Sequence, residues 1–227
     1  MAAGFGVYRR IRKVAPTAVA RFRSLPVANV SDSMARMFAG GPSLRPMHAG
    51  GVMAGPAFTV KTRPGDNLMV HKTLDIADPG DIVVVDAGGD LTNAIIGEIM
   101  TAYAELRGIG GIVINGAIRD SESLRASRFP VYAVGVTHRG PYKDGPGEIN
   151  VPVAIGGMVI EPGDLVLGDG DGLVAVPFDK VEEVAAAAEA KHAAEDKTLA
   201  GLRAGRAPDR AWVDASLRRL NCSIEPA

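Results

Sequence analysis

The chain has 227 residues, enough for one large domain or two small ones around a well-buried core. Its 25 basic and 26 acidic residues leave a formal net charge of −1 and aromatics are 5%, which excludes the basic excess and stacking surfaces of nucleic-acid binders. The single cysteine, Cys222, excludes an internal disulfide framework and fits a reducing compartment such as the cytoplasm, and no apolar run reaches the length of a membrane span.

Residues 1–26 carry Arg9, Arg10, Arg12, Lys13, Arg21 and Arg23 ahead of the first acid, Asp32. The segment is poor in serine and holds Pro16 and Pro26, so a solvated basic leader is expected rather than an organelle-targeting peptide. Residues 27–38 read as a short helix entered through Ser31 or Asp32 as N-cap. The Gly-, Pro- and Ala-rich stretch 39–56 reads as loop.

Strand-like runs rich in β-branched residues follow at 57–62, 81–86, 111–115, 131–136, 165–166 and 173–176. Pro79-Gly80-Asp81 and Pro162-Gly163-Asp164 each mark a turn before a core strand. Ile99, Ala102, Tyr103 and Leu106 fall at i, i+3, i+4 and i+7, the apolar face of a helix ending near Gly108. A long Ala- and Glu-rich helix is expected over 178–203, then a tail over 206–227 with Trp212 and Leu217. Strands and helices mixed without strict βαβ alternation point to a layered α/β or α+β domain spanning 27–205.

Several apparent motifs carry no chemistry. Gly168-Asp169-Gly170-Asp171-Gly172 lacks the Lys-Ser/Thr of a phosphate loop, and Lys180 stands where a calcium loop needs Glu, so it reads as a tight turn. His48, His71, His138 and His192 show no zinc spacing. No Gly-x-Ser-x-Gly elbow occurs, and nothing near Lys72 would make it a Schiff-base amine.

One constellation does. Gly97-Glu98-Ile99-Met100 opens a helix whose first N–H groups have no intrahelical partner and so welcome a carboxylate, while Gly97 permits close approach. Twenty residues separate Glu98 from Arg119-Asp120, which follow an apolar strand and a turn at Gly116, at a sheet edge. Singly, each has a plainer role: Glu98 as a complement to the helix dipole, Asp120 as an N-cap for 121–128, Arg119 as its salt-bridge partner. Together they can hold a hard cation such as Mg²⁺ beside a small anionic keto acid, with Arg119 binding carboxylate in bidentate fashion.

The chain resembles the family of 4-hydroxy-4-methyl-2-oxoglutarate aldolases and the related ribonuclease regulators called RraA. The likeness spans about residues 27–205 and rests on Val30-Ser31-Asp32, residues 55–60 (GPAFTV), both Pro-Gly-Asp turns, Gly97-Glu98, Gly116-Ala117-Ile118-Arg119-Asp120 and the Gly168–Gly172 turn. It implies a layered α-β-β-α sandwich, a swivelling β/β/α-type domain. It further implies that Asp120 ligates Mg²⁺ or Mn²⁺, with Glu98 acting through water. Arg119 and the segment Gly97, Ile99 and Met100 would bind the pyruvyl group of a small-molecule 2-oxo acid. Family likeness also implies a homotrimer or hexamer, with Glu195 of a neighbouring subunit reaching the site. Two positions depart from the family pattern: Ser123 stands where an acid is common, and Ile96 replaces an aromatic. The implied activity is metal-dependent cleavage of 4-hydroxy-2-oxo acids to pyruvate, with oxaloacetate decarboxylation beside it. The alternative is a non-catalytic RraA-type regulator that binds a ribonuclease.

Overall fold

A computed structural model describes residues 4–224. The chain forms two compact units whose boundary falls between Glu189 and Ala190. The first unit begins with β1 (Gly6–Val7), α1 (Pro16–Phe22), α2 (Val27–Ser33), β2 (Arg45–Pro46), β3 (Met53–Thr62) and α3 (Leu68–Ile76). It continues with β4 (Ile82–Asp86), β5 (Ala94–Ile96), α4 (Glu98–Leu106), β6 (Gly111–Ile118), α5 (Ser121–Ala126) and β7 (Val131–Val136). Then come β8 (Gly147–Ile149), β9 (Val153–Ile155), β10 (Met158–Ile160), β11 (Leu165–Gly168), β12 (Leu173–Val176) and α6 (Val181–Arg203), which runs into the second unit; α7 (Ala211–Arg219) ends the chain's helices.

The central sheet runs β1-β8-β3-β4-β6-β7-β2, with β3, β4, β6 and β7 parallel. Parallel strands need crossovers, and α3, α4 and α5 supply them. Because the sheet is covered on both faces, its strands read as unbroken apolar runs such as Ile82–Val85. Alternation then sorts the side chains. Val83, Val85, Ile112 and Ile114 join a core with Met69, Leu74, Met100 and Ala104 of α3 and α4. Ile82, Val84, Val113 and Tyr132 face the opposite way, onto Ile155, Met158, Val166 and Ala175. Leu165, Leu167, Val174 and Val176 point outward again, under α1, α2 and the start of α6. The result is the layered α-β-β-α architecture of an α/β domain.

Both Pro-Gly-Asp turns close in one way. Asp81 accepts the Asp78 N–H at 2.9 Å and Asp164 accepts the Glu161 N–H at 2.9 Å. The basic N-terminal segment is not a solvated leader, in contrast to the expectation. Val14, Ala18, Val19, Phe22 and Leu25 are buried, and Arg10 reaches Asp81 at 2.8 Å across the fold. Its many arginines masked an apolar stripe. Helix α2 starts at Val27, before the expected N-cap at Ser31 or Asp32, and ends at Ser33 rather than 38; Asp169 caps it from a distance, accepting the Val27 N–H at 2.9 Å.

The apolar face assigned to α4 is reversed. Met100, Thr101 and Ala104 are buried, while Ile99 is 81% and Leu106 82% exposed. The small face of the helix packs closest to the sheet, which lets its N-terminus approach β6. The second unit holds the rest of α6 and α7, with Lys191–Glu195 and His192–Asp196 ion pairs of 3.3 and 3.7 Å. Its boundary lies inside α6 rather than at the expected division near 205. No helix among the described residues is long and apolar enough to cross a membrane.

Candidate active site

Strand β5 ends at Ile96, and Gly97 carries the chain in extended conformation into α4. The Gly97 carbonyl accepts the Met100 and Thr101 N–H groups, each at 3.1 Å. Glu98 donates its N–H to Asp120 Oδ2 at 2.9 Å. The Ile99 N–H has no acceptor among the described residues, so it is the open donor of the first turn. The expected pair of amides at Ile99 and Met100 therefore narrows to one, since Met100 is already engaged.

Strand β6 does not turn at Gly116. It continues to Ile118 through a register shift against β7, and it lies in the sheet interior, so Arg119 and Asp120 emerge at its carboxyl end rather than at a lateral edge. The Arg119 N–H donates to Ile96 O at 3.0 Å, which locks the strand end beside Gly97. Asp120 sits at φ 55°, ψ 39°, the left-handed region that Asp tolerates better than most residues. Although it occupies the N-cap position of α5, its side chain makes no cap bond there. That turn of the backbone sends the carboxylate to α4 instead. Asp120 Oδ2 lies 3.6 Å from Arg119 Nε, and Oδ1 has no partner among the described residues.

Space at Gly97 is decided by these neighbours. A Cβ there would overlap Asp120 Oδ2 and come within 2.9 Å of Arg119 Cγ. Backbone conformation does not demand glycine at this position, but contact does.

A cavity of about 300 Å³ opens between Gly97, Ile99, Met100 and Arg119 on one side and Asn67, His71 and Lys143 on the other. A second hollow of about 330 Å³ is lined by Arg119, Asp120, Ser121, Thr137 and His138. The Glu98 amide meets this site through its bond to Asp120. Its residue lines a third hollow of about 170 Å³ with Glu105 and Ser123. Glu195 lies on α6 within the second unit, 3.3 Å from Lys191 Nζ. Partial burial and the Lys143 charge hold His71 below its ordinary pKa, with Asp75 opposing.

Among the described residues no group of three or more His, Cys, Asp or Glu is arranged around a cation position. One carboxylate with water is the donor set on offer, which suits Mg²⁺ better than a zinc cage. Sequence reasoning missed Asn67, His71 and Lys143 as cavity residues, because they come from segments far from Gly97 and Arg119 in the chain.

A family model described as RraA-like, Aldolase/RraA, matches residues 27–175. A protein of Halalkalibacterium halodurans, provisionally named 4-hydroxy-4-methyl-2-oxoglutarate aldolase, is 39% identical over 178 residues, 78% of this chain and 85% of that protein. An uncharacterized protein from Pseudomonas syringae pv. tomato superimposes with a TM-score of 0.77 at 27% identity, covering 85% of this chain and 95% of that one. The RNA-processing inhibitor RraA from Thermus thermophilus gives a TM-score of 0.62 at 31% identity, covering 67% of this chain and 92% of that one. The layered fold, the match over 27–175 and the shared sequence lead to one conclusion: the chain belongs to the RraA-like Aldolase/RraA family.

Proposed function

We propose that the protein is a divalent-metal-dependent aldolase that cleaves 4-hydroxy-2-oxo acids such as 4-hydroxy-4-methyl-2-oxoglutarate to pyruvate, with oxaloacetate decarboxylation as a side activity. One observation carries this reading: Asp120 Oδ2 stands 2.9 Å from the Glu98 amide and 3.6 Å from Arg119 Nε, beside a cavity of substrate size. The aldolase name of the Halalkalibacterium relative supports it.

The donor set fits Mg²⁺ or Mn²⁺, because Asp120 keeps one oxygen without a partner among the described residues and such ions retain several waters. Asp120 would hold the ion directly and Glu98 through water. When bound, the cation supplies Lewis acidity to the keto and carboxylate oxygens of the substrate. Arg119 grips the pyruvyl group and supports the negative charge that gathers on it. The Ile99 N–H adds a donor for the substrate carboxylate. The C4 hydroxyl loses its proton to a base, the C3–C4 electron pair passes to the pyruvyl fragment as enolate, and a proton delivered to C3 yields pyruvate. Glu98, through water, assists these transfers. The other fragment leaves as a carbonyl compound, a second pyruvate in the case named. In a homotrimer or pair of trimers in the cytoplasm, Glu195 of a neighbouring subunit completes the acid set.

The likeness to an RNA-processing inhibitor supports a second reading, a non-catalytic regulator that binds a ribonuclease. That role does not require the meeting of Gly97, Arg119 and Asp120. Pyruvate release from oxaloacetate and from 4-hydroxy-4-methyl-2-oxoglutarate, measured with Mg²⁺ and with chelator, separates the two. Release that needs the metal and vanishes in Arg119→Ala is expected; no metal-dependent release from either acid overturns the enzyme in favour of the regulator.

A further inference from the structure

A further cavity lies at the other end of the parallel strands from Arg119. Pro79-Gly80 lead into the amino end of β4, and Pro56 precedes Ala57, which pairs with Ile82. Arg119 and Asp120 leave the carboxyl end of β6, which runs parallel to β4. Between this amino end and α1 opens a space of about 260 Å³ with walls of Val14, Pro16, Val19, Ala20, Pro56 and Pro79. It shares no lining residue with the hollows around Arg119. Its walls are fixed. The Val14 N–H donates to Gly163 O at 3.1 Å, the Gly80 N–H donates to Gly108 O at 2.8 Å, and Arg10 holds Asp81 at 2.8 Å. The rings of Pro16, Pro56 and Pro79 have no φ freedom to lose, so little ordering of the walls accompanies a ligand's entry.

Charge in this lining is not balanced. Lys13 and Arg23 belong to it, and no acidic or aromatic residue does. Lys13 is engaged from outside by Asp78 at 2.7 Å. Arg23 donates from Nη2 to Ala54 O at 3.0 Å and has no ion pair among the described residues. That one bond steadies the guanidinium, and the rest of its planar fork of donors stays open to an anion. A single unpaired cation beside an aliphatic floor is complementary to a molecule with one carboxylate and a saturated apolar body. A dianion would press its second charge against aliphatic surface, which is costly.

We propose that this cavity is a second ligand site that takes a small aliphatic monocarboxylate, with the chain on Val14, Val19, Ala20 and the proline rings and the carboxylate on Arg23. The inference is independent of the aldolase reading and is tested by binding alone. Calorimetric titration of the full chain would compare octanoate with 1-octanol, which has the same chain and no charge. The wild type is expected to bind octanoate about tenfold more tightly than 1-octanol, the low end for a hydrogen bond to a charged group. Arg23→Gln, which keeps a donor for Ala54 O, should erase that preference with the urea midpoint little changed. Ala20→Trp, placed on the exposed side of α1, should fill the space and abolish binding of both. Arg119→Ala should leave octanoate binding as it is. Octanoate should also raise the thermal midpoint of the wild type with concentration, as any ligand of the folded state does, and not that of Arg23→Gln to the same extent. A wild type that does not bind octanoate, or an Arg23→Gln variant that binds it as tightly as the wild type, overturns the proposal. So does loss of binding in Arg119→Ala, which would move the octanoate to the cavity beside Gly97.

Discussion

Asp120 and Asp169 use the same device at opposite layers of the molecule. Each sits in a turn and reaches across the fold to accept the first N–H of a helix, Glu98 for Asp120 and Val27 for Asp169, both at 2.9 Å. Their remaining lone pairs differ. Asp169 Oδ1 accepts the Asp171 N–H at 2.9 Å, and the Asp169 carbonyl takes the Tyr132 hydroxyl at 2.9 Å, so the residue is spent on holding its own turn and two neighbours. Asp120 Oδ1 has no partner among the described residues, an arginine stands beside its other oxygen, and a cavity opens next to both. A distant cap is therefore not itself a sign of chemistry. The sign is what the carboxylate leaves unsatisfied, and which charge faces it.

Substitution at the two sites should split them most widely. Asp120→Ala is expected to lower kcat/KM for pyruvate release by about a thousandfold, the several kcal/mol of an electrophilic contact, beside a stability cost of about 1 kcal/mol for the lost cap on α4. Asp169→Ala should leave kcat/KM unchanged and cost about 1 kcal/mol in urea unfolding, as for a lost helix cap. Equal effects of the two on turnover would erase the distinction. Gly97→Ala sharpens it: the new methyl displaces Asp120 and Arg119 together, and a shift of this kind should cost about a hundredfold in kcat with the protein folded. Asp78 extends the comparison to a carboxylate held by side chains rather than amides. Lys13, at 2.7 Å, and then Arg10 keep it below the ordinary carboxylate range. A lowered folded-state pKa gives stability that is present above the ordinary range and lost as pH falls through the lowered value. The stability gap between wild type and Lys13→Ala should hold steady above about pH 5 and close in acid, read from urea midpoints across pH.

The half of the site built from Gly97, Glu98, Arg119 and Asp120 was legible because its residues are adjacent in pairs and flank an obvious helix and strand. Their partition was not: nothing in the spacing said that Asp120 would turn left-handed and cap α4 rather than α5. The face of α4 was misread because Ile99, Tyr103 and Leu106 form as good a stripe as Met100 and Ala104, and only the close packing of small groups on the sheet chooses between them. The far wall of the cavity was invisible for a different reason. Lys143 reaches it only because Asp66, 77 positions earlier, fixes the backbone around it, and no local pattern reports a contact of that range. Burial of residues 14–25 was hidden by charge: arginines at the rim of a short helix concealed the apolar side that packs inward.

The ten residues of β3 serve three partners, with β8 along Val60–Thr62. Met53–Pro56 pair antiparallel with β11, and Ala57–Lys61 run parallel with β4. One rigid segment is thus a shared seam, so neither sheet can peel from the other without breaking its own ladder. Heat or denaturant must take both layers at once, which keeps the strand ends bearing Gly97 and Arg119 in register until the whole unit melts.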